Sequence, residues 1–241
     1  MNDYRSIFQK RASDYHFAMQ HYPNARFYEF NNLISETNFS VISEVLDIPS
    51  GGGYLKKYIP NYIKVNSADF SEGFVDKDIE LVLPEKLPYE SNSFDVVYCL
   101  SGMHHLKNVP KFIEECLRVT RTNGEFIFAD VKKDTSVDLF LNQFVNQYNT
   151  LGHKGDFFYE DYFEKFPKIQ SKIFDCQYKE YPFVFENQND MVNFFKLFFG
   201  LDKANNTIIY EGIRDILGIK TTGNGIEVNW GLLHFRIKKT I

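Results

Sequence analysis

Cysteine is scarce in this chain, which has three of them, Cys99, Cys116 and Cys176, among 241 residues. Their odd number and wide spacing argue against a disulfide framework, and no CxxC pair or Cys/His cluster has the spacing of metal ligands. The sequence therefore predicts no metal site. Cys99 and Cys116 have apolar neighbours, where cysteine usually behaves as a small buried hydrophobe. We expect a protein of the reducing cytoplasm.

Basic residues are also fewer than acidic ones: the chain has 27 Lys and Arg and 32 Asp and Glu, which gives a net charge of -5. Nucleic-acid-binding proteins usually carry a basic stripe, and none is visible in the sequence. No apolar run approaches the length that spans a membrane, and the first residues, MNDYRSIFQKRASDY, are too polar for a signal peptide. We therefore expect neither nucleic acid nor membrane as a partner, and the sequence leaves the oligomeric state open.

Aromatic residues, in contrast, are abundant, with 25 Phe and 15 Tyr. Because Asn, Lys and Ile are also plentiful, a compositional bias of the source genome is one explanation, and an aromatic substrate pocket is the other. The length of 241 residues suits one large α/β domain, with or without a lid.

The first 131 residues alternate between strand-like and helical segments. Residues 41–48 (VISEVLDI) form an apolar, β-branched run that is typical of a buried strand. Over 109–117 the apolar residues recur at helical spacing, with Asn108 as N-cap and Pro110 in the first turn. The alternation predicts a parallel sheet with helices on both faces. Further strands are predicted at 63–69, 79–84, 94–100, 124–131, 178–185 and 228–237, and further helices at 1–35, 134–170 and 189–201.

The segment VLDIPSGGG, at 45–53, combines a strand with a glycine-rich turn and a following helix. Glycines let the backbone approach a ligand closely, and the N-terminus of the following helix offers free N–H groups to that ligand. The alternative is that these glycines form a plain strand-to-helix turn without a ligand. A second strand ends at Asp69, in VNSADFSEG. In a doubly wound sheet an acidic residue there accepts hydrogen bonds from ribose hydroxyls; the alternative is a turn-forming aspartate.

Four segments in this order resemble the motifs of class I S-adenosylmethionine (SAM)-dependent methyltransferases. VLDIPSGGG is similar to the family's VLDxGxGxG, and VNSADFSEG to its GVDxSxxM. LPYESNSFDVVYCLSGMHHL, at 87–106, is similar to LPFxDxSFDxVxxxxxLHHL, and LRVTRTNGEFIFAD, at 117–130, to LRVLKPGGxLxxxD. The resemblance covers residues 41–131. A nicotinamide enzyme is the weaker alternative, because the GxGxxG spacing is missing.

The resemblance implies a Rossmann-like, seven-stranded α/β sheet, mostly parallel with one antiparallel strand. It also implies SAM as cofactor, S-adenosylhomocysteine as product, and a small molecule as methyl acceptor. We expect a single domain over residues 1–241. Within it, N-terminal helices in residues 1–40 would cover the cofactor, and residues 134–200 would form an inserted substrate lid.

The resemblance also implies roles for cofactor-binding residues. Gly51 and Gly53, beside Ser50, would face the methionine part of SAM, and Asp47 would orient the turn. Asp69 would hold the ribose hydroxyls. The remaining expected contacts are Phe70 and Glu85 with the adenine, Leu100 and Ser101 beside the sulfonium, and Tyr15 closing over the cofactor.

Three positions depart from the family pattern. Pro49 stands where the family has its first glycine, and proline excludes a positive φ there, so the following glycines would carry the turn. Leu83 stands where an acidic residue often reads the adenine amino group. About nine residues separate Asp69 from the third strand, so the helix normally found there is reduced to a turn.

His104 and His105 follow the fourth strand directly, at the edge where open α/β sheets bind ligands. Histidine accepts a proton at neutral pH, so these two, and His153 in the predicted lid, are the candidate catalytic residues. Each could instead be a structural hydrogen bonder. Asp130 could position a substrate amine or hydroxyl, or end its strand as a turn residue. The lid aromatics would be mostly core, with a few lining a flat apolar pocket.

Three functions remain open at this point. The first is transfer of a methyl group to an O, N or C atom of a small, aromatic or apolar metabolite. The second is a SAM-fold subunit without activity, which Pro49, Leu83 and the shortened helix after Asp69 favour. The third is a SAM-fold enzyme with chemistry other than methyl transfer.

Overall fold

The strand–helix alternation folds into one eight-stranded sheet with the order β3-β2-β1-β4-β5-β8-β6, and β7 pairs with β8. The structure, a computed structural model, describes residues 4–223 and 225–240. β8 runs antiparallel to both β5 and β6, so it is the antiparallel member of an otherwise parallel main sheet. The predicted fold class is confirmed, with the short β7 as an addition. The strands are β1 (Glu44–Asp47), β2 (Lys64–Asp69), β3 (Ile79–Leu81), β4 (Phe94–Leu100), β5 (Thr120–Asp130), β6 (Ile173–Phe185), β7 (Ile219–Thr222) and β8 (Gly225–Lys238).

The centre of the sheet is the most apolar part of the sequence. β1 lies between β2 and β4, parallel to both, with Val45 opposite Val65 on one side and Val96 on the other. A strand covered by helices on both faces must be apolar on both, and the FDVVYCL run of β4 meets this requirement. The carboxyl ends of these parallel strands meet at one edge of the sheet, where Asp47, Asp69 and Asp130 end β1, β2 and β5.

The helices begin and end at the signals that the sequence contains. Asn108 caps α3, its side chain accepting a hydrogen bond from the N–H of Lys111. α7 is capped by Asn187 and ends at Gly200 in the left-handed conformation. The helices are α1 (Tyr4–His21), α2 (Phe27–Ile34), α3 (Val109–Val119), α4 (Ser136–Leu139), α5 (Asn146–Tyr148), α6 (Pro167–Gln170), α7 (Gln188–Phe199) and α8 (Asn206–Gly212). There are also 3-10 turns at Phe39–Val41, Tyr54–Tyr58, Glu72–Phe74 and Met103–His105, and π-helical segments at Phe140–Val145 and Ile213–Leu217.

Among residues 4–223 and 225–240, no helix is both long and apolar enough to cross a membrane.

The segment predicted as a lid, 134–200, is not a single insertion. β6, at Ile173–Phe185, belongs to the main sheet and pairs with β8 along nearly its whole length. The sequence predicts a strand at 178–185 within this segment, and the structure shows that it begins at Ile173 and forms an edge of the main sheet. The parts that lie outside the sheet are therefore the stretch between β5 and β6, and α7.

Most aromatic residues of this segment belong to the hydrophobic core. Phe128 on β5 stacks on Phe235 of β8 with 4.7 Å between ring centroids, and Phe163 meets Phe235 edge-on at 5.3 Å. Phe144 and Tyr148 pack on each other instead of facing a cavity, with 4.8 Å between their ring centroids. The expectation that these aromatics are mainly core is confirmed by their burial.

We predict that Asn108→Ala lowers the free energy of unfolding by about 1 kcal/mol, because α3 loses its cap and leaves the Lys111 N–H without this partner. Asn108→Ser, which keeps an accepting oxygen, should stay close to the wild type. Urea unfolding followed by circular dichroism measures both. Equal midpoints for the alanine variant and the wild type would show that the cap contributes nothing.

Candidate active site

A cavity opens at the carboxyl edge of the sheet, beneath α1, α2 and α7. At one end lie Tyr15, Asp47, Ser50 and Gly51, here called the glycine-turn end. At the other lie His104, His105 and His153, the histidine end. Further lining residues are Tyr4, Arg11, Arg26, Glu29, Leu100, Ser101, Leu141, Phe183, Phe198, Phe199 and Trp230.

The glycine turn after β1 depends on three consecutive positive φ angles, +53° at Gly51, +99° at Gly52 and +72° at Gly53. The glycines after Pro49 therefore carry the turn, as expected. A Cβ on Gly52 would lie 2.4 Å from the ring of His16 in α1, so the close approach of that helix also requires glycine here. Gly53 does not line the cavity; it faces Ser67 and Ile79, so its predicted contact with the cofactor is not supported.

Two polar atoms at the glycine-turn end are buried without a hydrogen-bond partner among the described residues. They are Oδ2 of Asp47 and Oγ of Ser50. Burial, together with the charge of Asp69, raises the pKa of Asp47 well above its usual value. Buried polar atoms are normally paired, so this end fits a ligand that carries hydrogen-bond donors, such as the ammonium group of SAM.

A buried ion pair that the sequence did not reveal forms the wall beside these atoms. Arg26 and Glu29 bind each other through Nε and Oε2, and both side chains are at least 95% inaccessible, with exposures of 5% and 1%. Arg26 also donates to the hydroxyl of Tyr15 at 2.8 Å. Tyr15 thus stands beside Gly51, where its predicted role places it, because Arg26 holds it there. A buried charge pair of this kind is costly to break.

Asp69 is fully buried at the end of β2, and its carboxylate has three donors. The N–H groups of Gly51 and Ser71 each donate at 2.9 Å, and the hydroxyl of Tyr4 donates at 3.1 Å. Burial raises the pKa of Asp69 to about 6, against the lowering effect of these hydrogen bonds. The sequence predicted a carboxylate open to ribose hydroxyls. In the structure a hydroxyl group of the chain itself, that of Tyr4, occupies this position.

A second groove lies on the far side of Tyr4. Phe70, Glu85 and Leu83 line it, together with His105 and Leu106. Phe70 packs edge-on against Tyr4, with 5.5 Å between ring centroids. The two predicted adenine contacts, Phe70 and Glu85, are therefore together, but Tyr4 separates them from the main cavity. The 3-10 turn Glu72–Phe74 is all that remains of the helix after β2, as expected.

The histidine end is organised by Asp130. Its Oδ1 lies 2.6 Å from Nδ1 of His104, and its Oδ2 accepts the N–H groups of Met103 and His104 at 2.9 and 3.2 Å. Because an ionised carboxylate only accepts, Nδ1 of His104 carries the proton and Nε2 keeps its lone pair. Asp130 is fully buried, and its oxygens are engaged with the chain. It therefore orients His104, and the suggested contact with substrate is not supported.

His153 reaches the cavity from the loop after α5. Asparagine side chains hold this loop in place: Asn146 Oδ1 accepts the N–H of His153 at 3.0 Å, and Asn142 exchanges two hydrogen bonds with Gly155 at 2.8 and 3.2 Å. Nδ1 of His153 is buried without a partner in the described part of the chain. Burial lowers the pKa of His153 to about 3, so its ring is neutral.

The three histidines form a cluster, in contrast to the expectation that the chain has no metal-type cluster. One ring nitrogen of each lies within 4.8 Å of the others. His153 is 48 residues from His105 in the sequence, so no local spacing could have revealed the arrangement. Burial, and then His104 and His153, lower the pKa of His105 well below its usual value.

Part of the chain is similar in sequence to known proteins. Residues 46–128 match the profile of the methyltransferase domain family. An uncharacterized methyltransferase, YcgJ, of Bacillus subtilis is 31% identical over 121 residues, which cover 44% of this chain and 47% of that protein. Human mitochondrial arginine-hydroxylase NDUFAF5 is 26% identical over 131 residues, covering 46% of this chain and 38% of that one. The chain matches 20–47% of the length of the first curated relatives.

Solved structures share the fold over most of the chain. A Thermotoga maritima SAM-dependent methyltransferase, described as a possible histamine N-methyltransferase, has a TM-score of 0.62 and 12% identity, covering 97% of this chain and 99% of that one. The sheet order and the glycine turn with its strand-end carboxylates define a class I Rossmann-like nucleotide-binding fold. Residues 46–128 match a methyltransferase domain, and together with the fold this supports a class I SAM-dependent methyltransferase that uses SAM as cofactor.

We predict that Asp69→Ala weakens binding of S-adenosylhomocysteine by roughly 10–100-fold, which corresponds to the loss of a charge-assisted hydrogen bond of about 1.5–3 kcal/mol. Tyr4→Phe should act in the opposite direction and strengthen binding several-fold, because the ribose no longer has to displace the Tyr4 hydroxyl. Isothermal titration calorimetry measures both.

The matched control is Tyr62→Phe, which removes a hydroxyl from an exposed tyrosine and should leave affinity unchanged. Unchanged affinity in a folded Asp69→Ala variant would make Asp69 a turn residue. Weaker binding in Tyr4→Phe would show that the Tyr4 hydroxyl stays on Asp69 in the complex.

Proposed function

We propose that the chain transfers the methyl group of SAM to a small, aromatic or apolar metabolite. The observation that carries this proposal is one continuous cavity with unpaired polar atoms at one end and three histidines at the other. The unpaired oxygen of Asp47 and the backbone of Gly51 would hold the methionine part of the cofactor. The far end would then receive the acceptor, with Leu100 and Ser101 between the two ends.

The cofactor, when bound, supplies an electrophilic methyl group, so the protein has to bind, orient and keep the site dry. The turn after β4 brings its backbone close to the ring of Pro49 in the glycine turn. Ser101 has a φ of +51°, and a Cβ on Gly102 would lie 2.3 Å from the Pro49 ring. Strained backbone of this kind clusters at active sites. Holding the two reactants in line in this way can lower the barrier by about 7–11 kcal/mol.

The histidine end would activate the acceptor atom. In the metal-free protein His104 is the best-placed proton acceptor, because Asp130 fixes its tautomer and stabilises the cation that forms. Burial lowers the pKa of His153 to about 3 and that of His105 well below its usual value. A base of this type is needed only when the acceptor is a hydroxyl or amine that must lose a proton.

The acceptor end supports an apolar or aromatic substrate. Leu141, Phe199 and Trp230 line the cavity, and Phe198, whose ring centroid lies 4.7 Å from that of Tyr15, offers an aromatic face that would attract the positive sulfonium. The buried Nε1 of Trp230 has no partner within the described residues, so it could donate to a polar atom of the substrate. The acceptor atom, whether O, N or C, is open in this proposal.

One alternative has an observation in its favour. The likeness to an arginine-hydroxylase shows that relatives with this domain include an enzyme whose name is not that of a methyltransferase. Chemistry other than methyl transfer at the same cofactor site is therefore the second candidate. Cofactor binding without S-adenosylhomocysteine release on any acceptor would favour it, and no cofactor binding would favour an inactive subunit.

We propose a cytoplasmic enzyme that binds neither nucleic acid nor membrane. The net charge of -5 gives no electrostatic attraction to phosphate. All three cysteines are free, two of them buried, as suits a reducing compartment.

The proposal predicts that Leu141→Phe abolishes turnover and leaves S-adenosylhomocysteine affinity within about twofold, because the larger ring fills the acceptor end of the cavity only. The assay follows S-adenosylhomocysteine release on a panel of phenols, aryl amines and aromatic acids, and calorimetry follows cofactor binding. Gly51→Val should instead abolish binding, since valine is strained at a φ of +53° and intrudes on the cofactor.

Leu139→Phe is the matched control, because Leu139 lies two residues before Leu141 at the end of α4 and is 41% exposed. It should change neither measurement. If Leu141→Phe lost cofactor affinity as completely as Gly51→Val, the division of the cavity into two ends would be wrong. Release of no product by the wild type on any acceptor, despite cofactor binding, would contradict methyl transfer.

A further inference from the structure

The histidine end holds three imidazole side chains, whereas proton transfer requires only one. His104 and His105 come from the 3-10 turn after β4, and His153 comes from the loop after α5, which also bonds the 3-10 turn through the N–H of Asp156 and the carbonyl of His104. The ring centroids of His104 and His153 are 5.5 Å apart, and those of His105 and His153 are 5.2 Å apart. Three imidazoles therefore converge on one point from two segments of the chain.

We propose that His104, His105 and His153 bind a divalent transition-metal cation of the zinc type, with at least one coordination position open to the cavity. Three imidazole nitrogens and an open position are the arrangement of catalytic zinc sites. Imidazole donors suit zinc, copper, iron or nickel better than magnesium or calcium. This inference deepens the proposed function and rests on it for the role of the cation.

The distances are compatible with closure around an ion. The ligand atoms lie within 4.8 Å of one another. Zinc–nitrogen bonds of about 2.0–2.1 Å in a tetrahedral site place nitrogens roughly 3.4 Å apart. The nitrogens must therefore approach by at most about 1.4 Å, which small side-chain rotations supply. Asn142 and Asn146 fix the backbone of the His153 loop, so the donor does not depend on an unstructured segment.

Asp130 supplies the support that metal-binding histidines usually have. A ligating histidine almost always donates its other ring N–H to a carboxylate or carbonyl group. His104 does this through Nδ1 to Asp130 Oδ1 at 2.6 Å, which leaves Nε2 as the donor atom for a cation. Asp130 thus acts as a positioning residue that orients the ring.

One nitrogen of the cluster is available to a cation. Nδ1 of His153 is buried without a hydrogen-bond partner in the part of the chain that the structure describes. A metal ion would satisfy that atom.

Charge balance indicates what the open position would bind. Arg11 lines the same cavity and its positive charge opposes a cation, whereas Asp130 is the carboxylate in contact with the cluster. An anionic acceptor atom would offset the excess positive charge. A bound cation lowers the pKa of an attached hydroxyl, so acceptors with an ionisable oxygen fit the site best. With a cation in place, His104 would serve as its ligand instead of as the proton acceptor.

The test uses the full chain, stripped with a chelator and titrated with Co²⁺ and then Zn²⁺. We expect one equivalent of Co²⁺, visible ligand-field absorption, and displacement by Zn²⁺. His105→Ala and His153→Ala should each weaken binding by more than about 100-fold, and Asp130→Asn by about 10–100-fold. His21→Ala, in which an exposed histidine stacked on Phe17 is lost, should bind as the wild type does.

Circular dichroism establishes that each variant is folded. Should an alanine variant fail to fold, acylation of the wild type by diethyl pyrocarbonate replaces it: Zn²⁺ should protect His104, His105 and His153 together and leave His21 reactive. Substoichiometric Co²⁺ binding, equal binding by His153→Ala and His21→Ala, or no joint protection would each overturn the metal site. Calorimetry of the metal-free protein with S-adenosylhomocysteine separates this failure from failure of the proposed function, because cofactor binding does not depend on the cluster.

Discussion

The arrangement of the cofactor site depends on the carboxylate of Asp69. It ties the end of β2 to the N–H of Gly51 in the glycine turn and to the hydroxyl of Tyr4 in α1. A buried carboxylate with several donors is a strong constraint, because removing any partner leaves charge unpaired at low dielectric. Asp69 therefore sets where α1 crosses the sheet edge, and with α1 the position of Tyr15 over the cavity. The proposed ribose contact of Asp69 would require cofactor binding to exchange one of these contacts for a ribose hydroxyl.

A second strand-end carboxylate organises the other end of the cavity. Asp130 holds the turn after β4 through two backbone N–H groups and orients His104 through its ring. In both places a buried aspartate at the carboxyl edge of the parallel sheet binds backbone N–H groups and also fixes the position of a neighbouring side chain, Tyr4 or His104. In the proposed function Asp69 would serve the cofactor and Asp130 the chemistry, and in the structure both carboxylates are engaged with groups of the chain.

The fold could be predicted further than the site because its signals are local. The FDVVYCL run became β4 with the expected bounds, and Asn108 became the cap of α3, since periodicity and capping act over a few residues. The pairing of Tyr4 with Asp69, the Arg26–Glu29 pair beside the glycine turn and the meeting of His153 with His104 depend on tertiary packing that no spacing records. The lid was drawn too wide for a related reason: the sequence predicts a strand at 178–185 but does not record that it pairs with β8 in the main sheet.

The central claim is that the glycine turn and Asp69 hold the cofactor and that α1 adjusts to admit it. A crystal structure of the complex with S-adenosylhomocysteine tests it most directly. We expect the ribose hydroxyls on the carboxylate of Asp69, the ammonium group near Oδ2 of Asp47, and the Tyr4 hydroxyl displaced from its 3.1 Å contact. A complex in which Tyr4 still bonds Asp69 while the ligand lies elsewhere would contradict the account.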